Sequence, residues 1–121
     1  MDFIKELDGG FSVIENLEVS GAREGKFGVA IIHSPNSTAS AVFTSNKVVA
    51  APVKYTKKML KKGIVSAVFV NSGNANCFTG QQGLDDCETL VELVANDLKL
   101  PKDEIAISST GVIGREMPID I

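Results

Sequence analysis

At 121 residues the chain is long enough for one domain, or part of one, and folding at this size buries roughly two-thirds of the surface an unfolded chain exposes. With 44% hydrophobic and 22% charged residues it is of globular composition, which excludes a disordered chain; a net charge of −3 disfavours a nucleic-acid partner. No apolar run approaches the ~20 residues of a membrane span.

The opening residues are mixed in charge and lack the basic start and apolar stretch of a signal peptide, which points to a cytoplasmic protein. After the Gly9-Gly10 turn, residues 11–14 read as a short strand, and residues 21–26 as a loop. Residues 27–33 (Phe-Gly-Val-Ala-Ile-Ile-His) are β-branched and apolar, a strand. Turn chemistry at Ser34-Pro35-Asn36-Ser37 and a second strand over residues 40–44 make an antiparallel hairpin. Residues 52–62 carry one apolar stripe and a lysine face, a short helix closed by Gly63. Its last-turn lysines oppose the negative end of the helix dipole, which explains the basic cluster better than an anionic substrate does.

Residues 64–70 are a continuous apolar run with one Ser, the best buried-strand candidate. Residues 71–83, rich in Gly, Asn and Gln, read as a loop. Leu84, Cys87, Leu90, Val91, Val94 and Leu98 then recur at helical spacing, with Cys87 on the buried face and Asp85 and Asp86 acting as caps at the positive end. Residues 104–108 form a last strand, followed by a second small-residue loop over residues 109–115. The order of elements gives an α/β (α+β) layer with a mixed sheet, and both polar loops follow apolar strands, where such folds usually place ligands.

Chemistry is sparse. Cys77 and Cys87 lie ten positions apart, far from the lone His33, so neither a zinc pattern nor a Ser/His/Asp arrangement is present; two reduced thiols are the plainer reading, and the spacing also allows a disulfide. The first loop, with three Asn and two Gly over residues 71–80, matches neither a P-loop nor a dinucleotide fingerprint and reads as a self-bracing turn. The second holds Thr110 beside Gly111. A hydroxyl next to a glycine N–H supplies two donors that can converge on one point, as acyl transfer requires where charge develops on the carbonyl oxygen.

Three runs, AVFTSNKVVAAPV (residues 41–53), VNSGNANCFTG (residues 70–80) and ISSTGVIGREMP (residues 107–118), resemble the N-terminal part of the ornithine acetyltransferase, or bifunctional glutamate N-acetyltransferase, family of arginine biosynthesis. The resemblance implies an αββα-type sandwich, incomplete in this chain, and a longer precursor that cuts itself in two. The new N-terminal Thr of the second chain takes the acetyl group from N-acetylornithine and glutamate collects it. The resemblance assigns the oxyanion hole to Thr110 (hydroxyl) and Gly111 (N–H). It further implies a β chain from the same precursor in an α2β2 heterotetramer, no cofactor or metal, and acetyl-CoA as an additional donor in those members that make acetylglutamate anew. The nucleophilic Thr and most substrate-binding residues would then lie beyond Ile121, leaving residues 1–121 as the N-terminal portion of the α chain, inactive alone. Two other readings fit the residues: a self-processing aminopeptidase or amidase of similar architecture, and a small-ligand binding module without chemistry.

Overall fold

The computed structural model describes Glu6 and residues 8–121; the reading of the first residues as no signal peptide falls mostly outside them. Four strands form one mixed sheet in the order β1 (Glu18–Glu24), β2 (Phe27–Thr38), β3 (Ile64–Ser72), β4 (Ile105–Ser109). The first three are antiparallel neighbours, whereas β3 and β4 run parallel, connected through helix α2 (Gly80–Leu98). Helix α1 (Ala51–Met59) precedes β3 and ends in a single 3-10 turn closed by Gly63 at φ +70°, as the sequence predicts.

Alternation along the strands decides what is buried. Ala67 and Phe69 of β3 and Ile105 and Ile107 of β4 meet Cys87, Val91, Val94 and Ala95 of α2 in the core, with Ile31 of β2 against its rim. The intervening residues face the other way. Val68 and Val70 of β3, with their ladder partners Ile32 and Ala30 of β2, are half-buried, and Val19 of β1 is 48% exposed. The chain therefore supplies one sheet and one helical side of a sandwich, and its second sheet face is apolar.

The edge of β4 is closed by a side chain. The Thr56 hydroxyl of α1 accepts from the Ile107 N–H and donates to the Ile107 carbonyl, both at 3.1 Å, standing in for a neighbouring strand. A second tie joins the ends of several elements. Buried Glu104 accepts from the Ser66 hydroxyl (2.6 Å) and the Lys62 ammonium (2.9 Å), and Ser66 Oγ in turn accepts from the Asn36 N–H (2.9 Å). These two contacts hold the carboxyl of Glu104 below its ordinary range, Ser66 more than Lys62.

Five corrections to the sequence reading follow. Residues 11–14 are not a strand; Gly10–Val13 is an exposed 3-10 turn. The supposed loop at residues 21–26 is mostly β1, an edge strand exposed along its whole length, and only Gly25 and Lys26 turn. Residues 34–37 do not reverse the chain. They make an irregularity inside β2, where Asn36 takes φ +54° and the Ser34 and Ser37 hydroxyls bond each other at 2.7 Å. Residues 40–44 find no strand partner among the described residues, and Val42 is 99% exposed; the antiparallel partners of β2 are β1 and β3. Finally, α2 starts at Gly80, so Asp85 and Asp86 sit in its second turn and cap nothing.

Candidate functional site

Because β3 and β4 are parallel, the loops after them leave the sheet at the same end. Main-chain bonds carry the pairing beyond both strands: Thr110 N–H to the Asn71 carbonyl (3.0 Å), Ala75 N–H to the Val112 carbonyl (2.9 Å) and Gly114 N–H to the Cys77 carbonyl (2.8 Å). The two small-residue stretches singled out in the sequence are thus one double loop.

The three asparagines brace it from within. Asn71 Nδ2 donates to the Asn74 carbonyl (2.7 Å) and Asn74 Nδ2 to the Arg115 carbonyl (3.3 Å). Asn76, 1% exposed, donates to the Gly83 carbonyl (2.7 Å) and accepts from the Thr79 hydroxyl (2.7 Å), fastening the loop to the first turn of α2. Gly83 permits this approach, since a Cβ there would collide with Thr79 Oγ1 and Asn76 Oδ1. Each of the three side-chain amides donates inside the protein, so together they make a braced wall of the double loop. The expected self-bracing turn is what the structure contains.

Thr110 and Gly111 stand on top of this wall, both exposed. Gly111 has φ +129°, and a Cβ on it would lie 2.6 Å from the Asn74 nitrogen and collide with the Gly73 carbonyl carbon, so the two loops touch main chain to main chain. Thr110 N–H is turned to β3, where it meets the Asn71 carbonyl, whereas Ile107 N–H, inside β4, points at the free edge and is taken by Thr56. Among the described residues neither Gly111 N–H nor the Thr110 hydroxyl has a hydrogen-bond partner. Two donors on adjacent residues, without partners of their own, are left available to a ligand at the end of the double loop.

The other candidates fall away from this point. His33 faces Ala67 in the ladder and lies 3.5 Å from Glu18. Both cysteines are free; Cys87 is fully buried, and burial, then the charge of Asp86, pushes its thiol up to about 12. Among the described residues no group of three His, Cys, Asp or Glu could hold a metal ion, and no helix is long and apolar enough to cross a membrane. Four of the α1-segment lysines, Lys54, Lys57, Lys58 and Lys61, are solvated; Lys62 belongs to the Glu104 tie. Sequence reasoning missed Thr56, Ser66 and Ser109 as structural contacts. Only Ser109, inside a motif already singled out, carried any signal.

A sequence profile of the ArgJ family matches residues 16–121. The chain belongs to the ArgJ family. It is 49% identical over 117 residues to the glutamate N-acetyltransferase of Methanothermobacter thermautotrophicus, covering 97% of this chain and 29% of that protein. The arginine biosynthesis bifunctional protein ArgJ of Archaeoglobus fulgidus is 42% identical over 101 residues, covering 84% of this chain and 26% of its own length. Two solved ArgJ-family structures share the fold. That of the bifunctional protein ArgJ of Bacillus halodurans superposes with a TM-score of 0.86 at 35% identity, covering 93% of this chain and 62% of that one. Ornithine acetyltransferase of Mycobacterium tuberculosis, complexed with ornithine, gives 0.85 at 34% identity, covering 92% and 64%. The chain thus spans under a third of the length of the curated relatives it matches.

Proposed function

We propose that this chain is the N-terminal portion of the α chain of an acetyltransferase that moves an acetyl group from N-acetylornithine to glutamate, and that its own contribution is the oxyanion hole. The observation that carries the reading is the pair of unspent donors, Thr110 Oγ1 and Gly111 N–H, held exposed at the end of β4. The names of the relatives supply the reaction class.

In this reading a Thr hydroxyl outside this chain, activated by its own α-amine, attacks the acetyl carbonyl of N-acetylornithine. The carbonyl oxygen gains negative charge, which the two donors stabilise. The amide C–N bond breaks, ornithine leaves with the transferred proton on its amine, and an acetyl ester of Thr remains. The amine of glutamate attacks that ester through a second oxyanion in the same two donors, giving N-acetylglutamate and the free Thr. No metal or cofactor enters this scheme; acetyl-CoA would serve as a further donor only if the protein also makes acetylglutamate anew. The apolar sheet face around Val68, Val70 and Ile32 supports a covering layer, which this reading assigns to a β chain of the same precursor; the α2β2 assembly and the cytoplasmic location rest on the family resemblance.

The test is acetyl transfer by the full-length protein carrying this chain. N-acetylornithine and glutamate should yield N-acetylglutamate, detected by mass. Thr110→Ala should lower kcat by roughly ten- to a thousandfold, the range around loss of one oxyanion donor. An unchanged kcat removes Thr110 from the mechanism.

A further inference from the structure

The donors of Thr110 and Gly111 are useful only if their positions are fixed to a few tenths of an ångström, and backbone pairing fixes them incompletely. Past Thr110 the next ladder bond, Val112 N–H to the Gly73 carbonyl, is stretched to 3.5 Å. The residue that compensates is Ser109, at the last position of β4. Its Oγ donates to the Asn74 carbonyl (3.2 Å) and accepts from the Asn76 N–H (2.8 Å). One hydroxyl therefore spans the far side of the first loop, on either side of Ala75. The Asn74 carbonyl it grips also receives Asn71 Nδ2, and the Asn74 nitrogen is where Gly111 rests.

From this geometry we infer that Ser109 is a positioning residue for the acetyl transfer. It locks the Asn74–Asn76 stretch against β4 so that Thr110 Oγ1 and Gly111 N–H converge on one point. The inference rests on the oxyanion-hole reading above and deepens it. Ser109 acts through the first loop: its hydroxyl gives its one proton to the Asn74 carbonyl and accepts from the Asn76 N–H. Removing it leaves the Asn76 N–H without its partner and frees the loop to slide beneath Gly111.

The experiment uses the full-length protein with Ser109→Ala and Ser109→Thr. Ser109→Ala should lower kcat roughly ten- to a hundredfold with the KM for N-acetylornithine unchanged, the scale on which small misplacements of reacting groups act. Ser109→Thr, which keeps the hydroxyl, should recover most of the loss. Amide exchange at Asn76 should accelerate in the Ala variant and not in the Thr variant. In a Thr110→Ala background, Ser109→Ala should cost distinctly less than in the wild type, because part of what it positions is already gone. Should Ser109→Ala not be recovered folded, Ser109→Cys keeps the volume with only weak hydrogen bonding and carries the same comparison. Faster exchange at Asn76 with unchanged kcat, additive costs with Thr110→Ala, or no recovery by Thr each overturns the inference. A wild-type protein inactive on N-acetylornithine and glutamate overturns the underlying reading as well, which separates the two failures.

Discussion

The Thr56 bridge makes the sharpest stability prediction. Thr56→Val keeps the branched shape of the side chain and puts a methyl in place of the hydroxyl, so helix propensity barely changes. What is lost is the partner of two main-chain groups, the N–H and carbonyl of Ile107, a residue 5% exposed. Leaving one buried polar group unsatisfied costs about 1–3 kcal/mol, so with some relaxation at the edge of β4 the pair should cost about 2–4 kcal/mol. Thr56→Ser retains both bonds and gives up one partly buried methyl, about 1 kcal/mol or less. Urea denaturation of the full-length protein and its two variants measures the difference through the midpoint at a common slope. Amide exchange at Ile107 gives the local readout and should speed up in the Val variant alone. If Val and Ser behave alike, or if Val shifts stability by less than about 0.5 kcal/mol, the hydroxyl does not stand in for a strand and water satisfies the edge instead.

Two predictions concern ionisable groups. Glu104 titrates below its ordinary 4.5 because Ser66 and Lys62 hold the charged form. Its contribution to stability is therefore full above about pH 4.5 and is lost as pH falls through the lower folded value; Glu104→Gln should flatten acid denaturation in that window. Cys87 is displaced the other way, from 9.0 to about 12. Above about pH 9 the unfolded chain gives up this proton while the folded chain keeps it, so stability should fall as pH rises toward 12. Tyr55 is raised as well, by burial and then by Glu88, so comparison with Cys87→Ala isolates the thiol. At neutral pH an alkylating reagent should modify Cys77 on the folded protein and reach Cys87 only in urea, as mass spectrometry of the labelled chain would report; equal labelling of both in the folded state contradicts the burial of Cys87.

The elements legible in the sequence are those that touch the core. β3, β4, α1, α2 and the first half of β2 each bury one face, and burial is what writes apolar periodicity into a sequence. β1 was hidden because all seven of its residues are exposed, so burial writes no apolar periodicity into it. Residues 40–44 show the converse: β-branched and aromatic residues favour a strand, yet a strand needs a partner, and among the described residues there is none. The early start of α2 was obscured by Gly80 and Gly83, poor helix formers; Gly80 takes φ +60°, and Gly83 leaves room for Asn76 and Thr79. At the site, Thr110-Gly111 could be singled out by residue type and family resemblance. The ties from Ser109 and Thr56 join residues 33 to 51 positions apart, and nothing local in a sequence announces such a contact.

Gly73 and Gly111 meet without a side chain between them. Their closest approach is set by peptide against peptide, with no side-chain torsion in the contact, while the Ser109 tie keeps the loops from sliding. A packed side chain can turn aside to admit a larger neighbour; two abutting peptides cannot, so a side chain placed at position 111 has no rotamer to escape into and must push the loops apart.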